Sequence, residues 1–140
     1  MEPRRLGLFP TPLRRQRTVL LVDDDPLTLQ VFAGFVRGFG YVPYTASSAE
    51  DALEILTSQS GDAVEAAVVD IRMPGRDGAW LIDQLTTNYP WIRIVIATGM
   101  SELDSRLILG RSVVGYLIKP FGAEQLGRML DEIWPDESGP

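Results

Sequence analysis

Residues 19–26 read VLLVDDDP, an apolar run followed by three aspartates and a proline. The run lacks polar–apolar alternation, which is typical of a strand covered on both faces in a parallel sheet. Asp25 is a residue type that caps helices, and Pro26 suits the first helical position because proline has no N–H to leave unpaired. This stretch therefore predicts a buried strand that passes directly into a helix.

The rest of the chain repeats this alternation of strand and helix. The predicted strands are residues 19–22, 41–46, 66–69, 92–97 and 113–118. The predicted helices are residues 26–39, 47–56, 77–88, 101–110 and 123–134. Gly40 is expected to end the first helix, and Ser47 with Glu50 has the pattern of a capping box for the second.

Apolar strands that alternate with amphipathic helices predict a parallel sheet with helices on both faces. Pro43 cannot donate a backbone hydrogen bond to a neighbouring strand, so the second strand is expected at an edge. Together these features favour an α/β fold of the flavodoxin-like type, a doubly wound five-stranded parallel sheet in the order 2-1-3-4-5. Ligands of such sheets bind at the carboxyl ends of the strands, near the switch between strands one and three.

Length and composition exclude several functional classes. The 140 residues, 45% of them apolar, fit one globular domain. The absence of cysteine excludes disulfides and thiolate nucleophiles, and the absence of histidine excludes serine–histidine triads and a histidine phosphodonor. No apolar run is long enough to cross a bilayer or to serve as a signal peptide. We therefore expect a cytoplasmic protein without a membrane span.

The charge is distributed unevenly along the chain. The net charge is −6, but residues 1–18 contain five arginines and one acid, which leaves −10 for the remainder. An acidic body argues against direct binding of nucleic acid by the folded domain. We divide the chain into a basic, proline- and arginine-rich extension (1–17), the domain (18–134) and a polar tail (135–140).

Several polar residues fall where the predicted strands end. Asp23 and Asp24 follow the first strand, Asp70 the third, Thr98 the fourth and Lys119, the sole lysine of the chain, the fifth. Converging carboxylates raise one another's pKa values unless a cation neutralises them, and oxygen ligands favour Mg²⁺, Mn²⁺ or Ca²⁺ over zinc. Asp70 is the best candidate for a nucleophile that forms an acyl phosphate, with Thr98 and Lys119 binding the phosphoryl oxygens.

In this pattern the chain resembles the response-regulator receiver domain, the CheY-like phosphoacceptor of bacterial two-component systems. The resemblance covers about residues 18–134. The matching motifs are residues 20–25 (LLVDDD), 68–78 (VVDIRMPGRDG), 96–99 (IATG) and 115–121 (GYLIKPF). Each motif alone is weak evidence for the resemblance. All four in this order and on these strands and helices are specific for the family.

The resemblance implies a role for each residue of the acidic cluster. Asp70 corresponds to the phosphorylated aspartate. Asp23 and Asp24 correspond to the acidic pair that, with Asp70, binds Mg²⁺ or Mn²⁺, and the backbone carbonyl of Arg72 completes the metal site.

It also implies a switch built on the fourth and fifth strands. Thr98 corresponds to the switch hydroxyl, Lys119 to the phosphate-binding lysine and Tyr116 to the aromatic residue that turns inward when the threonine moves. The peptide bond before Pro120 is expected to be cis.

The implied function is signalling rather than metabolic catalysis, because such a domain catalyses only its own phosphorylation and dephosphorylation. A histidine kinase or a histidine phosphotransfer protein would phosphorylate Asp70. The switched surface would comprise residues 101–110, 113–118 and 123–134, which would contact a second copy of the chain or a downstream protein.

Two alternatives remain open from the sequence. The first is a phosphatase of the haloacid-dehalogenase type, in which Asp23 is the nucleophile and Asp25 the acid. That hypothesis leaves the motif after Asp70 unexplained. The second is a receiver fold that binds partners without being phosphorylated.

Overall fold

The computed structural model describes residues 17–72, 78–99 and 112–134, without the side chains of residues 59 and 60. The strands are β1 (Thr18–Val22), β2 (Val42–Ala46), β3 (Val64–Asp70), β4 (Arg93–Thr98) and β5 (Val113–Ile118). The α-helices are α1 (Pro26–Gly38), α2 (Ala49–Thr57), α3 (Gly78–Asn88) and α4 (Ala123–Ile133), and a 3-10 helix (Gln59–Ala63) precedes β3. The predicted helix over residues 101–110 lies outside the described residues.

All five strands are parallel and lie in the order β2-β1-β3-β4-β5, which confirms the predicted flavodoxin-like sheet. The strand β2 is at an edge, where the missing N–H of Pro43 breaks no central ladder. The strand β3 is longer at both ends than the predicted 66–69, because Val64 and Asp70 also belong to it.

The side chains of each strand alternate between two hydrophobic cores, one on each face of the sheet. In β1, Leu20 and Val22 pack into the core covered by α2 and α3. Val19 and Leu21 pack into the core covered by α1 and α4. Helices on both faces explain why the strands are continuously apolar.

The start and end of α1 agree with the prediction. Asp25 is the N-cap residue, its carboxylate accepts a hydrogen bond from the N–H of Leu27, and Pro26 is the first helical residue. The helix ends at Gly38, and Gly40 adopts a φ of 92°, which glycine reaches without steric strain.

The predicted capping box of α2 is wrong by one residue. The N-cap is Ser48 rather than Ser47, and its hydroxyl accepts a hydrogen bond of 3.0 Å from the N–H of Asp51. Ser47 instead donates to the Asp51 carboxylate at 2.8 Å. Two consecutive serines each followed by an acid three residues later fit the capping pattern equally well, so sequence alone does not separate them.

No helix within residues 17–72, 78–99 and 112–134 combines the length and the apolar character that crossing a membrane requires.

Candidate functional site

The topology brings the predicted polar residues together at one edge of the sheet. Asp70 and Thr98 are the last residues of β3 and β4, and Asp23 and Lys119 directly follow β1 and β5. The backbone fixes this arrangement, because the N–H of Lys119 donates to the carbonyl of Thr98 and that of Asp23 to the carbonyl of Ala46. The carboxyl ends of neighbouring parallel strands therefore meet here.

Three carboxylates converge at this edge. Asp23, Asp24 and Asp70 each place one carboxylate oxygen so that all three oxygens lie within 4.8 Å of one another. Asp23 and Asp70 are buried, with 3% and 6% of their surface exposed, whereas Asp24 is exposed. The cluster thus has two oxygen donors inside the protein and a third at the surface.

Asp23 is held from both sides. Its Oδ1 accepts a hydrogen bond from the N–H of Asp25 at 2.9 Å, and its Oδ2 accepts one from Lys119 Nζ at 2.8 Å. Asp70 is held less firmly, since its Oδ1 accepts from the N–H of Arg72 at 3.2 Å and its Oδ2 lies 3.4 Å from Lys119 Nζ. Lys119 therefore bridges the two buried carboxylates.

The electrostatics of the site are unbalanced. Burial raises the pKa of Asp70, the positive charge of Lys119 lowers it, and the negative charge of Asp23 raises it again, with a net upward shift. Burial alone would lower the pKa of Lys119, but its hydrogen bond with Asp23 and the charges of Asp70 and Asp23 raise it overall. One ammonium group thus faces the two buried carboxylates of Asp23 and Asp70.

The cluster fits a hard divalent cation. Mg²⁺ prefers oxygen ligands and retains several waters, so two or three carboxylates at one edge of a cleft suit it. A cation there would also offset the effects of burial and of the nearby charge of Asp23, which together raise the pKa of Asp70. Arg72 follows Asp70 in the loop and donates its N–H to that carboxylate, which keeps its backbone beside the cluster.

Thr98 and Tyr116 lie on the neighbouring strands β4 and β5. Thr98 is buried, and its hydroxyl donates to the carbonyl of Gly99 at 3.2 Å. The hydroxyl of Tyr116 is buried against the α2–α3 side of the sheet, and no group in the described part of the chain hydrogen bonds to it. Burial raises the pKa of Tyr116.

The loop after Lys119 connects the site to α1. The peptide bond between Lys119 and Pro120 is cis, and the ring of Phe121 stacks on Phe32 of α1 with 4.7 Å between centroids. Beside this stack lies a groove of about 300 Å³ whose walls include Lys119, Phe121 and two exposed apolar residues of α1, Leu27 and Val31.

The sequence analysis did not identify this groove. Leu27 and Val31 are spaced one helical turn apart, which suggests a buried face, yet they are 69% and 51% exposed. Charged residues do not interrupt this part of α1, which is the only sequence signal that an apolar surface remains open.

Comparison with known proteins adds an independent observation. A sequence model described as the response regulator receiver domain matches residues 19–131. The chain belongs to this family.

The receiver domain is similar to parts of larger bacterial proteins. It is 33% identical over 117 residues to the alginate biosynthesis transcriptional regulatory protein AlgB of Pseudomonas aeruginosa, covering 83% of this chain and 25% of AlgB. It is 32% identical over 124 residues to the sensor kinase CckA of Brucella abortus, covering 88% of this chain and 13% of CckA. The chain therefore spans a quarter or less of the length of these curated relatives.

Solved structures agree with the receiver fold. The receiver domain from Clostridium thermocellum superposes with a TM-score of 0.75 at 26% identity, covering 83% of this chain and 92% of that one. A CheY-like receiver domain from Methanospirillum hungatei gives a TM-score of 0.77 at 23% identity, covering 85% and 94% of the two chains. Each neighbour is a receiver domain that this chain covers almost entirely.

Proposed function

We propose that this receiver domain accepts a phosphoryl group on Asp70 in a Mg²⁺-dependent reaction and so acts as a switch in a two-component phosphorelay. The observation that carries the proposal is the convergence of Asp23, Asp24 and Asp70 around one point, with Lys119 bridging the two buried carboxylates. A buried carboxylate beside a cation site and an ammonium group is the arrangement that phosphoryl transfer to an aspartate requires.

In the proposed reaction Asp70 is the nucleophile, and the residues around it bind the cation or the phosphoryl group. An oxygen of Asp70 attacks the phosphorus atom, an aspartyl phosphate forms, and the bond from phosphorus to the donor breaks with its electron pair leaving on the donor. Lys119 would exchange its contact with Asp70 for one with a phosphoryl oxygen. Its hydrogen bond to Asp23 would remain. Asp23, Asp24, Asp70 and the carbonyl of Arg72 would hold Mg²⁺, which supplies charge neutralisation on the transferring group.

Phosphorylation would then change the positions of Thr98 and Tyr116. Within residues 17–72, 78–99 and 112–134, the partner of the Thr98 hydroxyl is the adjacent carbonyl of Gly99, and a phosphoryl oxygen offers a stronger acceptor. Moving a two-state equilibrium from 1:99 to 99:1 requires about 5.5 kcal/mol. Two or three new charge-assisted hydrogen bonds of about 1.5–3 kcal/mol each are enough to do so. The altered surface would comprise residues 101–110 with β5 and α4.

The phosphodonor is proposed to be a histidine kinase or a histidine phosphotransfer protein. Any protein donor must cover the mouth of the site to bring its phosphoryl group to Asp70. The groove whose walls include Leu27, Val31 and Phe121 lies next to Lys119 and offers such a donor an apolar surface.

The geometry does not favour the phosphatase alternative. Asp23, the nucleophile of that hypothesis, accepts hydrogen bonds of 2.9 and 2.8 Å, which are shorter than the contacts of 3.2 and 3.4 Å to the oxygens of Asp70. Both oxygens of Asp25, its proposed acid, accept hydrogen bonds from Leu27 and Thr28 as the cap of α1. Asp25 is therefore occupied as a helix cap.

The test is intact-mass measurement after incubation with a small acyl phosphate, with Mg²⁺ and separately with EDTA. We expect a single phosphoryl adduct that requires Mg²⁺ and is absent from the Asp70→Asn variant. An adduct that persists in Asp70→Asn would support the phosphatase hypothesis. No adduct in the presence of Mg²⁺ would support a binding module that is not phosphorylated.

A further inference from the structure

The first residue of α3 lies directly on the backbone of the proposed phosphoacceptor. A Cβ atom built on Gly78 would overlap the carbonyl oxygen of Asp70, and it would lie 2.7 Å from the Cα of Ile71 and 2.9 Å from the carbonyl carbon of Asp70. All three atoms belong to the backbone of Asp70 and Ile71. The lack of a side chain at Gly78 is needed for close approach.

This contact completes the support around Asp70. On the sheet side, Asp70 is paired with Ala97 in the β3–β4 ladder, and the N–H of Ile71 donates to the carbonyl of Ala97 at 3.3 Å. On the other side, the N–H of Gly78 donates to the carbonyl of Ile71 at 3.1 Å. The backbone of Asp70 and Ile71 is thus clamped between β4 and the start of α3.

We infer that Gly78 is a positioning residue for the metal and phosphoryl site: by letting α3 rest on the backbone of Asp70, it sets the distance from the Asp70 carboxylate to those of Asp23 and Asp24. Any side chain at position 78 must move α3 or the Asp70–Ile71 backbone, because the atoms it meets are backbone atoms that cannot rotate away. The inference rests on the proposed function, since it concerns the same site.

The chain offers a matched control for the steric effect. A Cβ atom on Gly61 would overlap the carbonyl oxygen of Leu56 and lie 2.5 Å from the carbonyl carbon of that residue. Gly61 lies in the 3-10 helix before β3, at the opposite end of this strand from Asp70. Gly61→Ala and Gly78→Ala therefore introduce the same kind of overlap, but only the second lies at the site.

A second control measures the effect of replacing a glycine by alanine where no steric overlap results. Gly34 is an exposed residue of α1, and a Cβ atom there would meet nothing within 4 Å. Gly34→Ala should stabilise α1 slightly, because alanine has the higher helix propensity.

The experiment measures Mn²⁺ affinity, from the electron paramagnetic resonance signal of free Mn²⁺, beside the urea midpoint of the metal-free proteins. We expect Gly78→Ala and Gly61→Ala both to lower the urea midpoint. Only Gly78→Ala should weaken Mn²⁺ binding, by at least about tenfold, which is the lower range for losing a group that orients a ligand. If Gly78→Ala is largely unfolded in buffer, all four proteins are titrated in trimethylamine N-oxide, which favours the compact state.

The outcomes separate this inference from the proposed function. Wild-type affinity in folded Gly78→Ala would overturn the positioning role while leaving the proposed function intact. Equal weakening in Gly61→Ala would also overturn it, because the effect would then be one of general stability. A wild-type protein that binds no Mn²⁺ would overturn the proposed function, and the positioning role together with it.

Discussion

At the scale of single residues, the charged Asp70 carboxylate, which is the proposed phosphoacceptor, lowers the stability of the metal-free fold. Its pKa is raised mainly by burial, so the folded protein favours the protonated carboxyl more than the unfolded chain does. The charged form therefore destabilises the metal-free fold, and this penalty is fully present above the folded-state pKa. The penalty decreases as the pH falls through that pKa towards 3.8, the ordinary pKa of an aspartate.

We accordingly predict that Asp70→Asn raises the free energy of unfolding in EDTA at pH 7. The gain should shrink as the pH is lowered, for the reason just given. Urea denaturation at several pH values measures it, with Asp83→Asn on the exposed face of α3 as the control. A variant less stable than the wild type at pH 7 would mean that Lys119 already balances the charge of Asp70.

At the scale of secondary-structure elements, the sequence is compatible with either Ser47 or Ser48 as the N-cap residue of α2. The structure assigns the cap to Ser48, whose hydroxyl accepts from the N–H of Asp51. We predict that Ser48→Ala lowers the free energy of unfolding by about 1 kcal/mol, and Ser47→Ala by clearly less, because only the first leaves a helical N–H unpaired. Thermal or urea denaturation measures the stability of the two variants. A larger loss for Ser47→Ala than for Ser48→Ala would show that Ser47 is the N-cap residue.

The exposed apolar residues of α1 lead to a prediction about how a protein phosphodonor docks. Val31→Glu should slow phosphoryl transfer from a protein donor by at least about tenfold, since a charge in an apolar contact costs roughly 1.4 kcal/mol or more. Transfer from a small acyl phosphate should not change. Gln30→Glu, which adds the same charge to a neighbouring exposed position of α1, is the control. Equal slowing with both donors would show that the variant disturbs the site rather than docking.

At the scale of the whole molecule, Arg17 ties together parts that are distant in the chain. Its guanidinium forms an ion pair of 2.9 Å with Glu65 of β3 and lies 5.1 Å from the ring centroid of Trp134, directly after α4. Tyr41 packs against the same ring with 5.1 Å between centroids. The two ends of the described chain therefore meet on one side chain, although Arg17 was assigned to the extension by its composition.

Arg17→Met should therefore lower the free energy of unfolding by about 1–3 kcal/mol, because the charge-assisted hydrogen bond to Glu65 and the contact of the guanidinium with Trp134 are both lost. Arg37→Met removes an exposed arginine from the last turn of α1 and is the matched control. Urea denaturation measures both variants. Equal effects would show that the contacts of Arg17 contribute nothing beyond those of an ordinary surface arginine.

Much of this architecture follows from local patterns. The apolar strands, the cap at Asp25 and the edge position implied by Pro43 depend on near neighbours in sequence, so they could be predicted. The convergence of Asp23, Asp70 and Lys119 followed from strand order, because parallel strands place their carboxyl ends together.

Other features depend on contacts between distant elements. The exposure of Val31, the clamp formed by Gly78 and the ion pair of Arg17 are set by how elements pack. A glycine at position 78 is compatible with many loops, and only the folded chain shows that Asp70 leaves it no room for a side chain. Patterns in a single sequence do not contain this information.

The central claim is that Asp70, and no other aspartate, accepts the phosphoryl group. The most direct measurement is to phosphorylate the protein with a small acyl phosphate and Mg²⁺, reduce it with borohydride, and sequence the peptides by mass spectrometry. Borohydride converts an aspartyl phosphate to homoserine and leaves free carboxylates unchanged. We predict homoserine at position 70, with Asp23, Asp24 and Asp25 intact. Homoserine at position 23 would contradict the account.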